Sequence, residues 1–241
     1  MIRSLDMAKE KRFYRGEAIR FGWEVLKKNL LFFVLVLLLT WAVEALFSSP
    51  NMAAGRSLFV APLFSLISFV IGIIVGMAYI RISLRFAGGE KADFSDLWAG
   101  YPLFFKYLVG AILYALIVLA GLILLIIPGI IWAIKYQFYG YFVIDQEMPP
   151  VAALRKSGQI TKGSKWNLFV LGLAFIGIML LGALACGVGL FAAIPTVMVA
   201  HAWVYRKLAS QFPDTGVAPP QPIPEQALPQ APGTPPVPPA R

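Results

Sequence analysis

Apolar residues in this chain come in long runs, separated by short polar segments rich in lysine and arginine. Six runs, near 29–47, 58–80, 104–127, 128–144, 166–186 and 188–205, approach the roughly 20 residues that a helix needs to cross the hydrocarbon core of a bilayer. None alternates with a period of two, so a transmembrane barrel is not predicted. The pattern predicts an all-α fold: a polytopic membrane helical bundle of about six transmembrane helices in three hairpins. From Arg12 onward the first polar segment reads as a helix. Ile19, Trp23, Leu26 and Leu30 fall at helical spacing, and Glu17, Arg20, Glu24, Lys27 and Lys28 fall elsewhere. Such a helix is expected to lie in the membrane interface. A second interfacial element is expected near 93–101, capped by Asp93 or Ser95 and presenting Leu97, Trp98 and Tyr101. Three regions follow: a basic amphipathic segment at 1–28, a six-helix transmembrane domain at 29–210, and a proline-rich tail at 211–241 expected to be disordered and solvated.

Small residues and prolines refine the pattern. Ser68, Gly72 and Gly76 recur every four residues, the spacing of a close helix-packing seam. Pro62, Pro128 and Pro195 are spaced almost evenly, which suggests a threefold repeat of interfacial helix and hairpin. Aligning Pro128 with Pro195 puts the tip of the central hairpin near Gly121, whereas Trp132 favours a tip at Pro128-Gly129. Both remain open from sequence.

Composition agrees with this class. Hydrophobic residues make up 59% of the 241 positions and charged residues 14%, with mean hydropathy +0.75, well beyond a soluble domain of this size. The net charge of +9 points to anionic lipid rather than nucleic acid, because the basic residues flank the apolar runs. With six crossings, every one of the 21 lysines and arginines except Arg56 and Lys135 falls on one side. The charge rule then places both termini in the cytoplasm of a bacterium, with the chain in the cytoplasmic (inner) membrane. The basic segments before and after 104–144 demand two crossings there. Cys186 is the single cysteine, so no internal disulfide forms.

Candidate chemistry is sparse. Lys135 lies inside an apolar run, where insertion costs about 2.5–3.5 kcal/mol. Its expected partner is Glu44, as an intramembrane polar pair. Arg155, Lys156, Lys162 and Lys165, with the hydroxyls of Ser157 and Thr161, form a basic segment suited to anionic lipid headgroups. His201, in the last run, is expected to bond a neighbouring helix. No paired cysteines or carboxylates stand at metal-ligand spacing, and no nucleophile, phosphate-loop or dinucleotide motif occurs. No cofactor is implied and no enzyme activity is expected. The expected partners are the phospholipid membrane and its anionic headgroups, with a homo-oligomer or a second membrane protein also open.

The stretches LLIIPGIIWAIKYQFYGYF, ALRKSGQITKG, SKWNLFVL and GVGLFAAIPT followed by AWVYRKL resemble the uncharacterised six-helix bacterial inner-membrane proteins of the YciC type. These are similar in turn to the membrane domain fused ahead of the catalytic domain in some glycerophosphodiester phosphodiesterases. The resemblance spans roughly 98–208 and implies a fold and a location. It does not imply the phosphodiesterase activity, which belongs to a separate soluble barrel with paired histidines, and this chain has one histidine. The leading expectation is a non-catalytic integral membrane protein that binds lipids or partner proteins in envelope homeostasis. The alternative is a small transporter or lipid-moving protein using Lys135 and the proline-broken helices.

Overall fold

The computed structural model describes residues 13–48, 60–185, 187–212 and 215–221, and among these every regular element is helical. The basic residues before Phe13, the turn containing Arg56, Cys186 and the proline-rich stretch beyond Gln221 lie outside the described residues. Among the described residues nine α-helices follow in order: α1 (Arg15–Lys28), α2 (Leu30–Ser48), α3 (Val60–Ala87), α4 (Phe104–Leu124), α5 (Ile126–Tyr136), α6 (Tyr139–Gln146), α7 (Pro150–Ile160), α8 (Lys165–Leu184) and α9 (Leu190–Ala209). Two short 3-10 turns, Phe94–Leu97 and Tyr101–Leu103, precede α4.

Among the described residues three segments are long and apolar enough to cross a membrane, Ser65–Ala87, Phe94–Leu124 and Lys165–Leu184. The bent pair α1–α2, which turns through 89° at Asn29, gives a fourth if taken as one span. The expected spans at 128–144 and 188–205 take other forms. The first is two helices: α5 has 11 residues, a rise of roughly 16 Å against a hydrocarbon core of roughly 30 Å, and the chain breaks before α6. The second is α9, which carries His201, Arg206 and Lys207 and buries 11 of its 20 residues. It packs against α1, α2, α3 and α8. A helix surrounded by protein does not need the hydropathy of one facing lipid.

Close packing is concentrated at one end. Met77–Ala87 of α3, nearly all of α6, the inner face of α7 and the second half of α9 supply most buried side chains. α1 completes this end, burying Ala18, Phe21, Gly22 and Leu26 chiefly against α9. Trp23 and Leu30, expected on the same apolar face, stay about half exposed. The Gly22 face brings the two backbones so close that a Cβ there would overlap the carbonyl oxygen of Thr196. The expected seam on α3 is not the contact used: Gly72 has no neighbour where a Cβ would stand, and at Gly76 the nearest atom is a tyrosine hydroxyl 3.9 Å away.

α4 and α5 form the central hairpin, with its turn at Leu125, whose extended backbone separates the two helices. The tip thus falls between the two positions weighed from sequence. Gly121 and Gly129 lie face to face across the hairpin, and a Cβ on Gly121 would stand 2.8 Å from the Gly129 Cα. Two glycines are what let the limbs close this tightly. The Tyr114 hydroxyl donates to the Ala133 carbonyl at 3.2 Å and fixes the register. The outer face of α4 leaves Phe105, Val109, Ile112, Leu116, Leu119 and Ile123 exposed, an apolar stripe at helical spacing of the kind that is rare on water-facing surfaces.

Candidate functional site

The site grows from the break between α5 and α6. Gln137 and Phe138 interrupt the helix, so backbone groups near them need partners from elsewhere. α7 supplies them. Glu147 adopts a left-handed conformation, Pro150 starts α7 at its first turn, and the helix runs back alongside α6. Ser157 is fully buried. Its Oγ accepts from the Phe138 N–H at 3.1 Å and donates to the Lys135 carbonyl at 3.0 Å. The single Thr161 hydroxyl proton is shared between the Ser157 carbonyl at 2.9 Å and the Lys135 carbonyl at 3.1 Å. These two hydroxyls, expected to face headgroups, point inward instead, because the break leaves polar backbone that must be satisfied in a buried place.

With its backbone held, the Lys135 side chain runs across Gly158. A Cβ on Gly158 would lie 3.1 Å from the Lys135 Cε, and Nζ rests 4.7 Å from the centre of the Tyr136 ring, a cation–π contact. The side chain lines a cavity of about 390 Å³ together with Tyr136, Arg155, Gly158, Gln159, Lys162 and Lys165. Four cations from α5, α7, the α7–α8 turn and the start of α8 therefore converge, with no acid among the lining residues. Among the described residues none of the four joins an ion pair. Lys156 does not line the cavity. Trp166, next in sequence to Lys165, is 73% exposed and stacks on Phe169.

The expected Glu44–Lys135 pair is not formed. Lys135 faces α7, whereas Glu44 lies on α2 near the hydrogen bond between Thr40 and Tyr79. The expectation rests on both residues lying in the same half of the bundle, and Lys135 instead turns to Gly158 and Tyr136. His201 does bond neighbouring elements. Gln137 Nε2 donates to the Ile134 carbonyl, which turns Oε1 toward His201, so Nε2 of the ring donates to Oε1 at 3.1 Å. Nδ1 is left to accept from the Tyr141 hydroxyl, also at 3.1 Å. Phe138 packs against the imidazole, with ring centroids 4.8 Å apart. Both ring nitrogens are therefore occupied.

Sequence reasoning missed a second polar cluster. Asp93 caps the first 3-10 turn as expected, and Asp96 completes a capping box with it. Asp96 is buried and also takes Arg85 at 3.0 Å and Arg81 at 3.4 Å. The signal was present: two arginines four residues apart on one helix, followed by an acid on a short capped turn. A larger cavity of about 580 Å³ lies against Phe21, Val25 and Phe86, but both signs of charge line it, with Glu24 and Glu90 beside Lys28 and Lys91. Among the described residues no group of three histidine, cysteine or acidic side chains is placed to hold a metal.

Fold and site together describe an all-helical protein with several segments able to cross a membrane and one uncompensated cationic cavity. Residues 114–211, which include that cavity, match the model of a family described as a protein of unknown function (DUF975). An uncharacterised protein of Mycobacterium bovis is 30% identical over 175 residues, 71% of this chain and 51% of its own length. Uncharacterised proteins of two Mycobacterium tuberculosis strains match to the same extent. The chain spans about half the length of these curated relatives. No solved structure matches it. It is thus similar to bacterial proteins that have no assigned activity.

Proposed function

We propose that the chain is a non-catalytic integral protein of a bacterial cytoplasmic membrane that binds anionic phospholipid headgroups in the cavity of Lys135, Arg155, Lys162 and Lys165. The carrying observation is the convergence of four cations, without an acidic neighbour, at the edge of exposed apolar helix faces. Each basic side chain near an anionic lipid surface contributes on the order of 1 kcal/mol. In this reading both termini are cytoplasmic, α1 lies at the inner interface, and the YciC-like arrangement of three hairpins is retained, with α5 and α6 together forming the return limb of the central one. A role in envelope or lipid homeostasis follows from lipid binding rather than from any catalytic group. The packing of Phe138, Tyr141, His201 and Tyr205 against one another fills the core beside the helix break. That favours a binding protein over a transporter.

The test is lipid retention by the detergent-purified chain, read by native mass spectrometry. Phosphatidylglycerol is expected to be retained over phosphatidylcholine, and the double reversal Lys162→Glu/Lys165→Glu is expected to abolish that preference. Equal retention of the two lipids by the unaltered chain, or indifference to the reversal, would overturn the proposal.

A further inference from the structure

We infer that the cavity selects a phosphate headgroup carrying two negative charges over one carrying a single charge, an inference that rests on the anionic-lipid reading above. Charge balance carries it. Lys135, Arg155, Lys162 and Lys165 line about 390 Å³ with no acid among the lining residues. One phosphodiester would leave three of these charges unmatched, whereas a phosphomonoester, close to doubly charged at neutral pH, or a pair of phosphodiesters matches two. Lys135 is half-buried and Arg155, Lys162 and Lys165 are exposed; cations gathered at one opening repel one another even through water, and each unmatched one adds to that cost.

The fold sets the backbone positions of the cluster and holds one of its side chains, Lys135. Ser157 and Thr161 clamp the Lys135 carbonyl, and the Lys135 side chain is steered by Gly158 and Tyr136. Arg155 rides on α7, the helix that provides the clamp. Lys165 opens α8, so the positive end of that helix lies at the cavity edge. These backbone positions bring four cationic side chains to one opening, where a compact, highly charged group can meet them.

The surroundings assign the group to a lipid rather than to a free anion. Ile130 and Ile131 of α5 and Leu173 of α8 are exposed apolar side chains on two helices that pack together beside the cavity. Exposed Trp166, the residue after Lys165, is of the kind that favours a membrane interface. A headgroup in the cavity would have acyl chains along these faces.

The experiment offers the full chain in detergent an equimolar mixture of three lipids with matched acyl chains. These are phosphatidic acid (a monoester), cardiolipin (two diesters) and phosphatidylglycerol (one diester). Native mass spectrometry is expected to show at least one of the doubly charged lipids retained about fivefold or more over phosphatidylglycerol, the increment of one further matched charge. Which of the two leads reports whether the charges sit on one phosphorus or two. In Arg155→Gln/Lys162→Gln, its melting temperature checked against that of the unaltered chain, the ratio is expected to fall to about one. Equal retention of all three lipids by the unaltered chain, or a preference that survives the double substitution, would overturn the inference while leaving anionic binding intact. Failure of all three to exceed phosphatidylcholine would instead remove the underlying reading. Inorganic phosphate in place of lipid is expected to bind far more weakly, and binding as tight as that of the lipid would overturn the lipid assignment.

Discussion

Replacing Ser157 with alanine is the sharpest probe of the helix break. The side chain is fully buried and serves two backbone groups, accepting from Phe138 N–H and donating to the Lys135 carbonyl. Alanine leaves the buried Phe138 N–H without its acceptor, a loss of about 1–3 kcal/mol. The Thr161 hydroxyl, shared between the Ser157 carbonyl at 2.9 Å and the Lys135 carbonyl at 3.1 Å, can turn to the latter, so that half of the loss is cushioned. Thr161→Val alone should therefore cost less than about 1 kcal/mol, because Ser157 still serves the same carbonyl. In the double variant the carbonyl loses both donors. The combined cost should then exceed the sum of the single costs by on the order of 1 kcal/mol, the coupling expected of two groups sharing one partner. The assay is reversible unfolding of the purified chain in mixed micelles, followed by circular dichroism for all four proteins of the cycle. A Ser157→Ala chain as stable as the parent, or strictly additive effects, would refute the account of the break.

Two further outcomes follow from close contacts. Gly22→Ala places a methyl group against the backbone of α9 at Thr196; overpacking costs about 1–3 kcal/mol, helix propensity returns at most about 1 kcal/mol, and a lowered melting temperature is expected, so a raised one would sink the packing argument. His201→Phe keeps a ring beside Phe138 but strands Gln137 Oε1 and removes one of two partners of the Tyr141 hydroxyl, the other being Ser83, a loss of about 1–3 kcal/mol that thermal unfolding in detergent should register, and an unchanged melt would mean that the two contacts contribute nothing.

The helices were legible in the sequence where a segment faces its surroundings directly. The apolar runs that became α3, α4 and α8 announce themselves because every side of such a helix has to be greasy. α9 was harder, since its neighbours are protein and its composition tolerates His201 and Arg206. The basic group Arg155, Lys162 and Lys165 was legible as a segment, but its fourth member was not. Lys135 was read on an unbroken helix and paired with Glu44, because nothing in a string of apolar residues marks Gln137–Phe138 as the point where a helix stops. The inward turn of Ser157 and Thr161 was hidden for the same reason: hydroxyls follow unsatisfied backbone, and backbone becomes unsatisfied only once the break is known. The hairpin turn at Leu125 lay between two glycines whose pairing depends on register. Gly22, by contrast, had a signal that went unread, a glycine on the inward face of an otherwise strong amphipathic helix.

The embrace of α1 by α9 sets an order of events during synthesis. Gly22 leaves the ribosome early, and Thr196, which closes over it, follows roughly 170 residues later; at about 5–20 residues per second that delay is on the order of ten to thirty seconds. Throughout it, the face of α1 bearing Ala18, Phe21 and Gly22 has no mate, and neither does the protein-facing side of α3 that α9 will cover. The early helices must wait in a loose state for the last one described here, which acts as the keystone. A nascent chain interrupted before Leu190 would therefore present an open groove rather than a smaller finished bundle, a form that membrane proteases would recognise and remove.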